Sequence, residues 1–520
     1  MRNLSAFLTE DVIEYALAFA DVPTLRALKG VSLAWRARAR RVLCARLRAR
    51  VGLPLASNLG NVTTLDLSGS RAAGRLVADA ADAACGLPNL VRVTGLGGFE
   101  VDVARLNHVY PSFIYPVGEP PKWPMTEVRA CIKGEGDTPM EVLFAAFALR
   151  DRKACVPACA FRGDRSMRSI ALPAGLTSLG EGAFWGCSSL TSIELPASLM
   201  SLGENAFRDC SSMTSIELPA GLTSLDWGAF YVCSSLTSIK LPTSLTSLGD
   251  CIFCDCSSLT SIELPAGLTS IGPYVFDGCS SLTSIALPAG LTSIDEYAFQ
   301  GCSSMMSIGL PVGLTSLGRG AFKGCSSLTS IALPAGLTSI DEYAFQGCSS
   351  MMSIGLPVGL TSLDRGAFKG CSSLTSIALP AGLTSIDEYA FQACSLMTLI
   401  ELPSGLTSLG RGAFYGCSSL TSIELPAGLT SLGKEAFTCC SSMTSIKLPA
   451  GPTSFGDGAF SGCSSLMSIE LPASFGLRMS SFDMLRSAGV PPSTILRFAP
   501  AFAIENNGNV HENNGNVHVG

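Results

Sequence analysis

The amino-acid sequence predicts a repeat solenoid: a β-rich array of 23-residue coils behind a small α-helical N-terminal domain. Three periodicities carry that prediction. Thirteen cysteines, from Cys187 through Cys210 and Cys233 to Cys463, recur every 23 residues. Prolines from Pro173 to Pro472 and phenylalanines from Phe161 to Phe460 keep the same interval. A unit of this kind, with the consensus LTSIxLPAGLTSLxxxAFxGCSS, has about seven apolar side chains and no means of burying them alone. Neighbouring units must therefore stack, and stability becomes a sum over adjacent coils.

Residues 190–212 illustrate one coil. Leu190, Ile193 and Leu195 fit the L-x-x-L-x-L strand of leucine-rich repeats. Alternation sends Ile193 and Leu195 inward and Ser192 and Glu194 outward. Pro196 ends the strand, because it has no N–H for a ladder hydrogen bond. Leu199 and Leu202 form a second inward pair, and Gly203 permits a turn. Ala206 and Phe207 are expected on a short helical turn. Cys210 faces inward, while Ser211 and Ser212 suit a turn through side-chain-to-backbone bonds.

Phe207-x-x-Cys210-Ser-Ser-Met213 followed by Ile216-x-Leu218-Pro219 resembles the BspA-like (Treponema-type) leucine-rich repeats, over residues 161–475. Other leucine-rich repeats often carry Asn where this chain has Ser198, Gly221 or Ser244. The resemblance implies an extended recognition surface, found at cell surfaces in many bacteria, and no catalysis.

Residues 281–326 and 327–372 are the same 46-residue block, apart from Gly318 in the first and Asp364 in the second. The outward strand position can be read down the array: Glu194, Glu217, Lys240, Glu263, Ala286, Gly309, Ala332, Gly355, Ala378, Glu401, Glu424, Lys447 and Glu470. One reading of this row is a smooth central groove flanked by acidic patches, where a partner backbone approaches closely. The other is that the middle copies reflect duplication alone. A second column, before the Phe, alternates Glu296, Arg319, Glu342, Arg365, Glu388 and Arg411. Opposite charges on adjacent coils act as cross-strand pairs that set register. Tyr297, Tyr343 and Tyr389 follow on alternate coils and are expected to pack beside Gly320 and Gly366.

A cysteine column invites a metal reading. Free cysteine behaves as a small buried hydrophobe, however. The densest cluster, Cys251-x-x-Cys254-x-Cys256, lends one member to the buried column and leaves too few ligands for a closed zinc site. No metal or cofactor is expected. The three histidines are His108, His511 and His518, and there is no Gly-Lys-Ser/Thr phosphate loop, His-Glu-x-x-His or nucleophile elbow. The sequence thus reads as a non-enzymatic scaffold.

Residues 5–50 are read as helical. Leu8-Thr9-Glu10-Asp11-Val12-Ile13, Leu17, Phe19 and Asp21, then Leu25, Leu28, Val31-Ser32 and Trp35-Arg36 resemble an F-box, with Thr9 where that family usually has Pro and Ala20 where Leu is common. The resemblance implies that Leu8, Val12, Ile13, Leu17, Leu25, Leu28, Val31 and Trp35 dock a Skp-type adaptor of a cullin ubiquitin ligase. Arginines 36, 38, 40, 41, 46, 48 and 50 read as a solvated helix face.

Residues 51–107 contain a longer, helix-containing leucine-rich-repeat-like segment. Val62–Leu67 and Leu90–Leu96 align at a 28-residue offset, with a helix expected between Leu76 and Cys85. Residues 108–160 read as a connector and cap, 476–504 as a C-terminal cap, and 505–520, with two ENNGNVH heptapeptides, as a disordered tail.

The chain has 520 residues, a net charge of −6 and only 15% charged residues, which gives no global sign of a nucleic-acid partner. No apolar run approaches the ~20 residues of a membrane-spanning helix. Glu10, Asp11 and Glu14 interrupt any signal-peptide core, so a cytoplasmic or nuclear location is expected. The leading functional expectation is a substrate-recognition adaptor of a ubiquitin ligase. The alternative is a surface recognition or adhesion protein with no ligase link.

Overall fold

The computed structural model describes residues 64–67, 80, 90, 92–94, 100–106, 132–133, 140–151, 154–449, 454–471, 483, 485–498 and 516–518. The chain divides into two compact units, residues 1–230 and 231–520.

In the first unit, strand Thr64–Asp66 pairs in parallel with Arg92–Thr94, placing Leu65 against Val93. This register spans the 28-residue offset of the sequence, and Leu65, Leu67, Leu90 and Val93 are buried. Two antiparallel strands extend the sheet, Glu100–Asp102 and Ile132–Lys133. Helix Met140–Asp151 buries Leu143 to Ala148 without interruption. Its Phe144 and Phe147 rings lie 5.9 and 6.5 Å from Phe161, the first ring of the coil ladder. The helix therefore covers apolar surface that the first coil would otherwise expose, the task of a terminal cap. The ladder itself begins at Cys155–Val156, inside the segment 108–160, through parallel pairing with Ser178–Leu179.

Each coil contributes two short parallel strands to two separate ladders. One carries Ser-Ile-x, as in Ser169–Ala171 and Ser192–Glu194; the other carries Ser-Leu, as in Ser178–Leu179 and Ser201–Leu202. Both registers advance by one repeat. The Ser-Ile-x strands are exposed, buried, exposed, so the central isoleucine alone enters the core. Leu195, expected inward, is half-buried. It directly precedes Pro196, where the strand has already ended.

The expected helical turn at Ala206–Phe207 is a run of tight turns instead. The amides of Ala206 and Cys210 donate to the Gly203 and Phe207 carbonyls at 3.2 Å, three residues back. The Phe207 amide donates across to Ala229 O at 2.8 Å in the following coil. Asn205 and Asp209 have φ of 54° and 58°. Two left-handed residues four apart prevent an α-helix from propagating.

The second unit repeats this arrangement. Five strands, Ser362–Leu363, Ser385–Ile386, Ser408–Leu409, Ser431–Leu432 and Ser454–Phe455, form one continuous parallel ladder. Phe253 and every ladder phenylalanine to Phe460 stack ring on ring, with centroids 5.3–5.9 Å apart and planes within 2–13°. That is the offset-stacked geometry favoured by aromatic quadrupoles. Beside the rings runs a cysteine ladder, in which the Cys325 thiol donates to Phe299 O at 3.2 Å, and Cys348 and Cys371 repeat the bond one and two coils further on.

At the C-terminal end, Ser468–Leu471 pairs in parallel with Ile495–Phe498. Asn516–His518 then adds an antiparallel edge strand on Ile495–Arg497. These three residues fall within the segment 505–520 that the sequence reads as a disordered tail. Their Asn-Val-His can alternate across a strand and finds an open ladder edge. Leu485, Ala488 and Val490 bury against the end of the stack, with helical turns at Asp483 and 485–487.

Candidate functional site

Hydroxyl ladders build the surface of the coils. Threonines of the Leu-Thr-Ser-Ile stretch donate to the carbonyl of the same position one coil back, Thr260 to Thr237 at 3.2 Å and Thr444 to Thr421 at 3.3 Å. A second threonine row does the same, Thr315 to Thr292 and Thr407 to Thr384. A serine row follows, Ser326 to Ser303 and Ser349 to Ser326. These bonds occupy carbonyls at the coil surface, so the low charge content leaves the backbone satisfied. Sequence reasoning missed the ladders, although the recurring Thr-Ser pairs were their signal.

Among the described residues, the outward strand row is exposed on either side of the buried isoleucine column. Glu194 and Glu217 lie in the first unit, and Lys240 to Glu470 in the second. Lys447 is ion-paired with Glu424 at 3.1 Å. From Ala286 to Ala378 the row has no charge. A Cβ added at Gly309 or Gly355 would meet nothing within 4 Å, so no packing demand explains either glycine.

Large apolar side chains flank this smooth stretch, and they were not singled out from the sequence. Met306 and Met352 are 57% and 58% exposed, in the position where other coils carry the ladder threonine. Val312 and Val358 are 92% and 85% exposed, where other coils carry alanine. Leu399 is 53% exposed at the end nearer Glu401. The available signal was a departure from consensus on one face: Thr to Met, Glu to Gly and Ala to Val within one coil.

The charged column lies at the turns. Arg319 pairs with Glu342 at 3.4 Å and Arg365 with Glu388 at 3.6 Å. Arg411 instead pairs with Glu435 at 3.1 Å, a residue outside the column read from sequence. Tyr297 projects over Gly320, and Tyr343 over Gly366: a Cβ at either glycine would overlap the ring. Tyr297, Tyr343 and Tyr389 all have φ between 54° and 58°. The guanidinium of Arg319 lies 5.6 Å from the Tyr343 ring and that of Arg411 5.8 Å from Tyr389. Charge, ring and glycine thus interlock from coil to coil.

Burial sets the cysteine chemistry. It pushes the thiols of Cys325, Cys371 and Cys417 up to about 12. Cys256 is fully buried and also raised, Cys251 is half-exposed, and Cys439 is exposed. Among the described residues, no group of three or more His, Cys, Asp or Glu is placed to hold a metal ion. No described helix is long and apolar enough to cross a membrane. The F-box-like set, Leu8, Val12, Ile13, Leu17, Leu25, Leu28, Val31 and Trp35, lies outside the described residues, as do the adjoining arginines.

Coil, ladder and buried apolar column together define a leucine-rich-repeat solenoid of about 14 coils. The family described as the BspA type leucine rich repeat region matches residues 155–283, 269–398 and 388–482, and the chain belongs to that family. A solved leucine-rich repeat protein from Bacteroides ovatus is 30% identical, with a TM-score of 0.60 over 66% of this chain and 87% of that one. A leucine rich cell surface protein from Faecalibacterium prausnitzii is 25% identical, with a TM-score of 0.44 over 62% of this chain and 90% of that one. A Treponema pallidum leucine rich repeat protein is 29% identical, with a TM-score of 0.28 over 40% and 78%. No curated protein matches the chain.

Proposed function

We propose that the chain is a recognition or adhesion scaffold that binds a protein partner on the exposed strand row, without chemistry of its own. One observation supports this most directly. Five consecutive uncharged outward residues, Ala286 to Ala378, coincide with the exposed Met306, Val312, Met352 and Val358. Large exposed apolar side chains gathered on one face of a sheet mark an interaction site. The ligase-adaptor reading depends wholly on residues 5–50. The family match begins at residue 155, and recognition needs only the coils it covers.

The test is affinity purification of the full chain beside Gly309→Asp/Gly355→Asp and, as control, Lys369→Glu on the turn edge. Open space at both glycines lets the aspartates fit without disturbing the core. A partner lost with the double aspartate variant and kept with the control supports the strand row. Equal capture by all three proteins overturns it. Including residues 51–520 addresses the ligase reading, since a Skp-type adaptor recovered only with the full chain would restore it. Locating a tagged chain shows which compartment supplies the partner.

A further inference from the structure

Resting on that reading of the strand row, we infer that the occupant is a polyproline II peptide lying along the coil stack, with an apolar residue at every third position and a basic residue at each end. The surface departs from the other coils with a two-coil period. Met306, Gly309 and Val312 recur as Met352, Gly355 and Val358, separated by a coil carrying Thr329, Ala332 and Ala335. Neighbouring strands are ~4.8 Å apart, so the pattern repeats every ~9.6 Å. A polyproline II helix turns once in three residues and rises ~9.3 Å in doing so. Its every-third side chain therefore keeps step with the methionine–valine coils. A β-extended peptide alternates faces every ~6.7 Å and falls out of step within one repeat.

The substitutions do nothing for the isolated chain. Methionine cannot donate the hydroxyl bond that Thr260 and Thr444 make at this position. Glycine weakens a strand, and its presence there often marks the close approach of another backbone. Both losses fall where an occupant would touch. A polyproline II backbone has no internal hydrogen bonds and presents free carbonyls. Exposed Ser307, Ser330 and Ser353 lie along the same row to donate to them.

Charge fixes the ends. Glu263 and Glu401 close the smooth stretch, and neither belongs to an ion pair among the described residues. They stand six coils apart, or ~29 Å at the strand spacing. At ~3.1 Å per residue that is about nine residues of polyproline II, a whole number of turns, so two basic residues nine apart share one face. A second copy of this chain is disfavoured, because face-to-face packing would set acidic ends against acidic ends.

The test is fluorescence anisotropy of the full chain with three labelled peptides. The first is Lys-Pro-Pro-Leu-Pro-Pro-Leu-Pro-Pro-Lys; the second replaces both lysines by glutamate; the third is an alternating Val-Thr peptide with the same terminal lysines. The first peptide should bind at least about tenfold more tightly than either other, weaken with salt, and lose binding in Gly309→Asp/Gly355→Asp. Equal or tighter binding of the Val-Thr peptide, abolished by the aspartates, overturns the polyproline inference and leaves the strand row as the partner surface. Binding of the first peptide that is indifferent to the aspartates, or absent, also overturns the inference. Only partner capture indifferent to the same aspartates overturns the wider proposal.

Discussion

Removing one ring from the phenylalanine stack tests how the coils hold together. Phe345 is fully buried, with Phe322 at 5.7 Å and Phe368 at 5.5 Å. Phe345→Ala costs about 3–5 kcal/mol in lost burial and cavity. Two stacked pairs, at about 0.5–1.5 kcal/mol each, bring the loss to about 4–8 kcal/mol. At the usual 0.05–0.15 kcal/mol per residue, a 23-residue coil holds about 1–3 kcal/mol. The deficit exceeds what one coil can absorb, so the coil should open locally while distant coils stay folded. Hydrogen exchange with mass spectrometry should show protection lost around residues 330–368 and retained beyond 400. Urea unfolding should broaden or divide into two steps, whereas Phe345→Leu, which keeps much of the apolar volume but loses both stacked pairs at about 0.5–1.5 kcal/mol each, should cost less and broaden the transition less. A single shifted transition with protection lost evenly from 231 to 520 would refute coil-by-coil stability.

Four further outcomes are expected. Among the described cysteines, Cys439 should alkylate at pH 8 in the native protein, while Cys325, Cys371 and Cys417 should react only after denaturation; peptide mapping reads both. Burial raises the Asp364 carboxyl, with Asp341 and Asp387 adding to the rise against a lowering hydrogen bond from Ser362. Protonation is therefore favoured in the folded state. This contribution to stability is complete below the unfolded carboxyl value near 3.8 and is lost as pH rises through the higher folded one. Asp364→Asn should accordingly stabilise at pH 7 and lose its advantage near pH 3, measured by thermal melts. Ala393 sits at φ 60° where its counterparts Gly347 and Gly370 have 75° and 74°, so Ala393→Gly should stabilise by about 1 kcal/mol in urea titration. Arg365→Ala removes an exposed pair with Glu388 and should shift stability by under ~1 kcal/mol.

The coil was legible because period 23 fixes neighbours in space: any residue and its counterpart one repeat on must lie side by side. That alone places Ile193, Phe207 and Cys210 inside and Glu194 outside. The left-handed backbone at Tyr297 and Tyr343 was not legible, since tyrosine does not advertise positive φ. It belongs to the coil position, which is left-handed also at Asn205, Cys251, Tyr274 and Glu435, while Gly320 and Gly366 leave room for the ring. Arg411 chose Glu435 over Glu388, a choice of side-chain reach that column order does not encode. The outward row was visible as a list of residues, but its apolar rim was not. Met306 and Val312 look like core residues in a string, and only the coil geometry turns them out. The first rung at Cys155–Val156 lacked the Ser-Leu signature and was read as connector.

The alternation at the turns imposes a parity rule on how this chain can lengthen. Arg319 meets Glu342 and Arg365 meets Glu388, so every arginine needs a glutamate on the next coil. Tyr297 and Tyr343 lie over glycine there. Gaining or losing one coil would set like charge against like charge. Gaining or losing two preserves every contact, and the 46-residue block at 281–326, copied at 327–372, is a step of that even size.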